Sequence, residues 1–242
     1  MSKALYMDDS YMREFESIVE SADGTKIILK ETAFYPSSGG QPHDLGKIIC
    51  NGEEYDVVDV LKNNGKIEHI INKEGPKQGD AIKGIIDWTR RYNLMRAHTA
   101  THILCNILHT ETGGLITGNQ LYEDKLRVDF NLENYDREIL EQLVEKANEI
   151  LKSEKDVTSY YLPRDEAFKL EGALKLANIL PPNVSELRIV EIKDVDIQVD
   201  GGTHVKNTRE VGKLKLLKTE NKGKNNRRLV VSLELVRDKS LA

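Results

Sequence analysis

The hydrophobic positions of this chain change their period once. Up to about residue 88 they come in short runs: Lys26 to Leu29, Gly46 to Cys50, Tyr55 to Leu61, Ile67 to Ile71 and Ala81 to Asp87. Runs of this length and composition predict β-strands. Turn chemistry separates them at Asp23-Gly24, Ser37-Ser38-Gly39-Gly40, Asn51-Gly52, Asn63-Asn64-Gly65 and Gly75-Pro76. Regular short strands joined by glycine turns predict a small β-barrel.

Beyond Trp88 the period becomes helical. Leu94, Ala97, Leu104 and Leu108 recur at helical spacing between Arg90 and His109, and Gly113-Gly114 ends the run. Tyr135 to Leu151 predicts a second amphipathic helix with Ile139, Leu143, Ala147 and Ile150 on one face. Asp165 to Leu170 reads as a short third helix, and Gly172 to Ala177 as the start of another. Leu187 to Val199, Lys213 to Thr219 and Arg227 to Val236 read as strands, the last two joined by the polar loop Glu220 to Asn226. The expected fold class is α+β, with an N-terminal β-barrel domain over residues 1–88 and an α+β domain over 89–242.

With 242 residues, 39% apolar, the chain is long enough for a sizeable core. No apolar run approaches the roughly 18–20 residues that span a bilayer. Met1 to Arg13 carries Asp8 and Asp9 and has no basic flank, unlike a signal peptide. Cys50 and Cys105, far apart, argue against a disulfide scaffold and fit a reducing cytoplasm. The net charge of −5 gives no sign of nucleic acid, yet residues 206–228 hold nine basic side chains against two acidic ones. That local excess fits a phosphate-attracting segment or a solvated hairpin.

The candidate chemistry starts with His98 and His102. At i and i+4 on the predicted helix they share a face, about 6 Å apart along the axis. Such a pair can grip one divalent ion, and it also arises by chance. Thr99 stands where a zinc protease needs glutamate, which argues against that class. Asp200-Gly201-Gly202-Thr203-His204 follows a predicted strand, and its glycines allow a sharp turn that could aim Asp200 and His204 at one point. Three histidines and a carboxylate would suit zinc, with bonds of roughly 2.0–2.2 Å; a capped turn with an exposed histidine fits the same residues. Cys105 shares the face of His102 and reads as a rival ligand or a small buried hydrophobe. His109 lies roughly 10 Å up the axis from His102, too far to share an ion with both helix histidines. His43 and His69 show no ligand spacing and are expected at the surface.

Together these segments resemble a known family. His98-Thr99-Ala100-Thr101-His102, followed about a hundred residues later by the Gly-Gly-Thr-His-Val turn, resembles the editing domain of alanyl-tRNA synthetases and their free-standing AlaX-type relatives. Thr32 to Pro42 is similar to the family's glycine-rich motif, Thr117 to Gln120 and Arg127 to Phe130 to its following loop and strand, and Asn221 to Arg228 to its C-terminal hairpin. With a barrel at the N-terminus, the resemblance is to the medium-length class. It implies one Zn2+ per chain, bound by His98, His102, Asp200 and His204, and metal-assisted deacylation of mischarged tRNA(Ala), carrying serine or glycine, in the cytoplasm. No membrane or DNA partner is implied. The oligomeric state is left open.

The family's usual pattern has cysteine where this chain has Asp200. Three arrangements fit: direct ligation, a general base on a metal-bound water, or a place behind a three-histidine site. By resemblance Thr32 is expected to contact the serine hydroxyl, Gly39 and Gly40 to allow close backbone approach, and Gln41 to offer amide contacts. Thr32 and Asp200 are the candidate catalytic residues. Arg96, with Arg90, Arg91, Lys125 and Arg127, is expected either to meet acceptor-end phosphates or to form ordinary salt bridges. A threonyl-tRNA editor, a small-molecule esterase and a catalytically silent RNA-binding module are the competing readings.

Overall fold

The structure is a computed structural model that describes residues 2–132, 136–170, 184–223 and 226–234. The chain divides into two compact units, Met1–Met95 and Arg96–Ala242.

The first unit contains strands β1 (Lys3–Ala4), β2 (Glu14–Asp23), β3 (Lys26–Leu29), β4 (Glu31–Thr32), β5 (Gly46–Cys50), β6 (Glu53–Asn63), β7 (Lys66–Ile71) and β8 (Ala81–Ile86). Six of them close a barrel in the order β2-β3-β7-β6-β5-β8, which leaves no sheet edge open. Alternation fills its interior with Phe15, Val19, Ile27, Leu29, Ile48, Tyr55, Val57, Ile67, Ile71, Ile82 and Ile86. Strand β2 is absent from the sequence-based expectation for a physical reason. Its inward position 17 is a serine, whose buried hydroxyl accepts the Glu31 N–H at 3.2 Å, while Ile18 points outward. Polar and apolar faces are therefore mixed along the strand.

Helix α1 (Trp88–Thr112) begins where the period changes. The Asp87 side chain accepts the Arg90 N–H at 3.2 Å and caps it. At the far end Gly113 adopts a φ of 69°, and its N–H reaches the His109 carbonyl at 2.8 Å.

The second unit takes α1 from Arg96 onward, then β9 (Leu115–Leu121), β10 (Lys125–Asn131), α2 (Arg137–Lys152), β11 (Val157–Pro163), α3 (Arg164–Ala167), β12 (Glu186–Ile192), β13 (Asp196–Val199), β14 (Leu214–Asn221) and β15 (Arg227–Leu233). They form a four-stranded sheet, β14-β15-β10-β9, and a three-stranded one, β11-β12-β13, both antiparallel. Helix α2 buries Leu140, Leu143, Val144, Ala147 and Leu151. Ile139, expected on that face, is instead 47% exposed, because the buried stripe is rotated by about one residue.

The segment Leu187 to Val199, expected as one strand, is a hairpin. Asp194 takes a φ of 60° and the Val195 N–H closes back on the Ile192 carbonyl at 2.9 Å, so β12 turns into β13. The helix expected from Gly172 lies outside the described residues. No helix among the described residues is long and apolar enough to cross a membrane.

Candidate metal centre

Helix α1 and the turn after β13 build the centre. His98 and His102 lie one helical turn apart and are both buried. Asn106, a further turn along, donates to the Val195 carbonyl at 2.9 Å and ties the helix to the β12–β13 turn. Beyond Val199 the chain enters Asp200-Gly201-Gly202-Thr203-His204. Arg188 of β12, itself buried, donates one guanidinium nitrogen to the carbonyls of Asp200 and Gly202 at 3.0 Å each. A Cβ at Gly202 would collide with the His98 ring, so glycine is needed there for close approach.

These elements bring His98, His102, Asp200 and His204 together, with their ligand atoms all within 4.8 Å of one another. The Nε2 atoms of His98 and His102 each lie 3.2 Å from Asp200 Oδ2, and His204 Nε2 lies 3.7 Å from Asp200 Oδ1. Tetrahedral bonds of roughly 2.0–2.1 Å would separate ligand atoms by about 3.4 Å. Asp200 Oδ1 accepts the Gly202 N–H, which leaves Oδ2 toward the two helix histidines. His204 Nε2 is buried without a hydrogen-bond partner, an orphan of the kind that an ion satisfies. Three imidazoles, one carboxylate and an orphaned nitrogen fit a divalent ion of the zinc type.

Burial opposes charge on His102, but hydrogen bonds to Asp196 and Asp200 and their negative charges outweigh it and raise the ring to about 9. Burial also disfavours the Asp200 carboxylate; the neighbouring charge of His98 and the close approach of the His102, His204 and His98 rings hold it well below the usual range. Burial and then the charge of His98 push His204 well below an ordinary histidine.

Two side chains behind these residues escaped the sequence reading. Thr99 Oγ1 lies 3.2 Å from His204 Nδ1, and Asp196 Oδ2 lies 3.0 Å from His102 Nδ1. The signal for the second was present as Asp196-x-Gln198-x-Asp200, an alternation that puts three polar groups on one side of β13 and its continuation. Cys105 is buried and stands outside the cluster, and His109 is spent at the helix end, 3.2 Å from the Gly114 carbonyl.

His69, expected at the surface, is fully buried. It sits at an inward position of β7, 2.8 Å from Thr32 Oγ1 and 3.3 Å from the Ile27 carbonyl. A carbonyl only accepts, so Nδ1 carries the ring proton and Thr32 donates to Nε2. Burial lowers His69 to about 4. Thr32 is itself fully buried, and its oxygen also accepts the Phe34 N–H at 3.1 Å. Gln41 is buried and pairs its backbone with Ser38, whereas Ser38 and Gly39 form an exposed tip. His43 is half-buried beside Ser37 and Asp59.

Arg91 and Arg96, expected among the groups meeting phosphate, turn inward and are fully buried. Arg91 pairs with buried Asp44 and donates to the Ser10 carbonyl at 3.0 Å. Arg96 donates to the carbonyls of Glu210 at 3.0 Å, Val211 at 2.7 Å, and Glu234. Their desolvated guanidinium groups are committed to neighbouring backbone and carboxylate oxygens. Arg127 remains half-buried near Asp129, and Lys125 lies over the Tyr122 ring. In the basic hairpin, Lys218 and Lys222 pair with Glu220 and Arg228 with Asp129, while Arg227 folds into the loop and donates to Asn221 and Gly223. Lys224 lies outside the described residues.

The class of the protein follows from its matches to synthetase-associated families. Residues 187–230 match the family described as the threonyl and alanyl tRNA synthetase second additional domain, and residues 3–90 match class II (A) tRNA synthetases. The chain is 46% identical over 241 residues to the alanyl-tRNA editing protein AlaX-M of Methanosarcina barkeri, covering 96% of this chain and 99% of the relative. It is 43% identical to the AlaX-M protein of Saccharolobus solfataricus, over 97% of this chain and the whole of that relative. The alanine–tRNA ligase of Pyrococcus abyssi is 39% identical over 90% of this chain, which spans 24% of the ligase. The chain belongs to the AlaX-M family of alanyl-tRNA editing proteins.

Proposed function

We propose that this chain hydrolyses the ester of tRNA(Ala) mischarged with serine, and with glycine as a second substrate, and spares Ala-tRNA(Ala). It does so with one Zn2+ held by His98, His102, Asp200 and His204. The observation that carries the reading is the convergence of three imidazoles on one carboxylate, with a buried ring nitrogen of His204 left unpaired, in a member of an editing family.

A bound zinc ion supplies polarisation of the ester carbonyl or acidification of a water. The chain supplies the frame. Asp200 offers one carboxylate oxygen to the site while the Gly202 N–H holds the other, which supports direct ligation over a remote general base. Thr99 orients His204, and Arg188 fixes the turn from behind. In the glycine-rich motif, Gly39 and Gly40 take φ values of 57° and 86°, conformations that let backbone N–H groups face a ligand. Gln41 supplies an amide to the same motif. Thr32, proposed by resemblance as the residue that discriminates serine, is fully buried with its oxygen bonded to His69 and to the Phe34 N–H. A polar site of this kind rejects alanine because its own group is left unpaired when the hydroxyl is missing.

The test is deacylation of Ser-tRNA(Ala), Gly-tRNA(Ala) and Ala-tRNA(Ala), before and after chelation and after zinc is restored. Loss of serine that stops with chelator and returns with zinc, with alanine retained, is the expected result. Serine retained under every metal condition would refute the reading. Hydrolysis of a different charged tRNA would move the chain to another editing specificity.

A further inference from the structure

We propose that Asp196 is a positioning residue of the metal centre, fixing the ring of His102 so that Nε2 faces the ion; this rests on reading the four residues as metal ligands. Asp196, Gln198 and Asp200 follow one another at every second residue, so β13 and its continuation present all three on one side. Asp196 and Gln198 are both buried, at 3% and 7% exposure. Asp196 Oδ2 lies 3.0 Å from His102 Nδ1 and accepts the Gln198 side-chain N–H at 3.0 Å. On its other edge His102 Nε2 lies 3.2 Å from Asp200 Oδ2. The ring is thus held between two carboxylates, Asp196 in β13 and Asp200 just beyond its end.

A carboxylate can only accept a hydrogen bond, so Asp196 can hold the ring proton on Nδ1 while an ion beside Asp200 would take the lone pair of Nε2. That is the tautomer a ligand needs, and a carboxylate behind a ligating imidazole makes it a stronger donor. Asn106 ties α1 to the Val195 carbonyl, next to Asp196, so the helix and the strand are pinned beside the contact. Charge agrees with the geometry. Asp200 and Asp196 together carry two negative charges in a buried site, the number that balances a divalent cation.

The test is a Co2+ titration of the metal-free full chain, followed by visible absorption, for wild type, Asp196→Asn and Asp196→Ala. Thermal unfolding of each metal-free protein is measured alongside. Asp196→Ala should weaken Co2+ binding roughly 10–100-fold. Asp196→Asn should lose less, because its amide oxygen still accepts from Nδ1 but carries no charge. A role in folding alone would lower the unfolding temperature of the metal-free variants and leave Co2+ affinity where it was, and that outcome would overturn the proposal. If the alanine variant does not fold, the asparagine variant decides: unchanged affinity and unchanged spectrum refute the positioning role. Absence of Co2+ binding by the wild type would overturn the ligand assignment itself, and the proposal with it. Binding by the wild type with no change in either variant would overturn the proposal alone.

Discussion

The first unit buries Arg91, Asp44, His69 and Thr32; the second buries His98, His102 and His204 around a partly exposed Asp200. In the first unit these four side chains have matched partners. Arg91 meets Asp44 and backbone carbonyls, and both ring nitrogens of His69 are bonded. In the second unit three imidazoles crowd one carboxylate, and a buried nitrogen of His204 is left over. Burial and titratability alone therefore do not mark a functional site. At this centre the mark is the crowding of three imidazoles on one carboxylate with an orphaned nitrogen among them, because an unpaired buried group costs stability that a bound ion would restore.

Four expected outcomes would break or sharpen this contrast. The largest concerns Arg91→Ala, which strands Asp44 without its partner and should destabilise the first unit by about 3–5 kcal/mol. The single tryptophan, Trp88, lies in that unit, so denaturant unfolding followed by its fluorescence reads the loss. The metal content of the folded fraction should stay at one ion per chain; a fall in metal content without loss of stability would reverse the assignment of roles. Next, His98→Ala and Asp200→Ala should each cost more metal affinity than the roughly 10–100-fold typical of a residue behind a ligand. His98→Ala should not lower the stability of the metal-free protein to match, whereas Asp200→Ala removes the carboxylate that pairs with His98 and His102 and should lower it as well; equilibrium dialysis with unfolding curves separates the two effects. Third, Gly202→Ala drives a methyl group into the His98 ring and should cost about 1–3 kcal/mol where the turn must give way. Its metal affinity should fall, while Gly201→Ala, with open space around its Cβ, should be mild in both respects.

The smallest effect is on pH, and it has opposite signs in the two units. His69 is lowered from 6.5 to about 4, so in that window the unfolded chain binds a proton that the folded barrel excludes. Stability of the first unit should therefore rise with pH from about 4 to about 6.5. His102 in the metal-free protein is raised from 6.5 to about 9. Its contribution is complete below 6.5 and is lost as pH rises through about 9. Metal uptake must displace that proton, so affinity should increase as pH climbs toward the same value. Calorimetry in buffers of different ionisation enthalpy measures the proton released. Uptake without proton release would remove His102 from the ligand set.

Much of this was legible in the sequence because period and turn chemistry are local. Strands β3, β5 and β7, helix α1 with its capping glycine, and the pair of His98 and His102 follow from spacing. What escaped depended on side chains meeting across the fold. Strand β2 hid because Ser17 occupies an inward position, and the β12–β13 hairpin because Lys193-Asp194-Val195 carries no glycine. His69 looked like a surface residue because nothing nearby in sequence announces Thr32, 37 residues earlier, as its partner. The same holds for Arg96, whose acceptors lie more than a hundred residues away. The Gly-Gly turn suggested Asp200 and His204, but Asp196 acquires meaning only once β13 lies beside α1.

The proposed hydrolysis of mischarged tRNA(Ala) depends on one divalent ion held by His98, His102, Asp200 and His204. It is tested most directly by titrating the metal-free protein with zinc and measuring the rate of Ser-tRNA(Ala) deacylation at each addition. The account predicts a rate that rises from near zero and levels off at one ion per chain, with no such rise in Asp200→Ala. A rate already at its maximum in the metal-free protein, and unmoved by zinc, would contradict it.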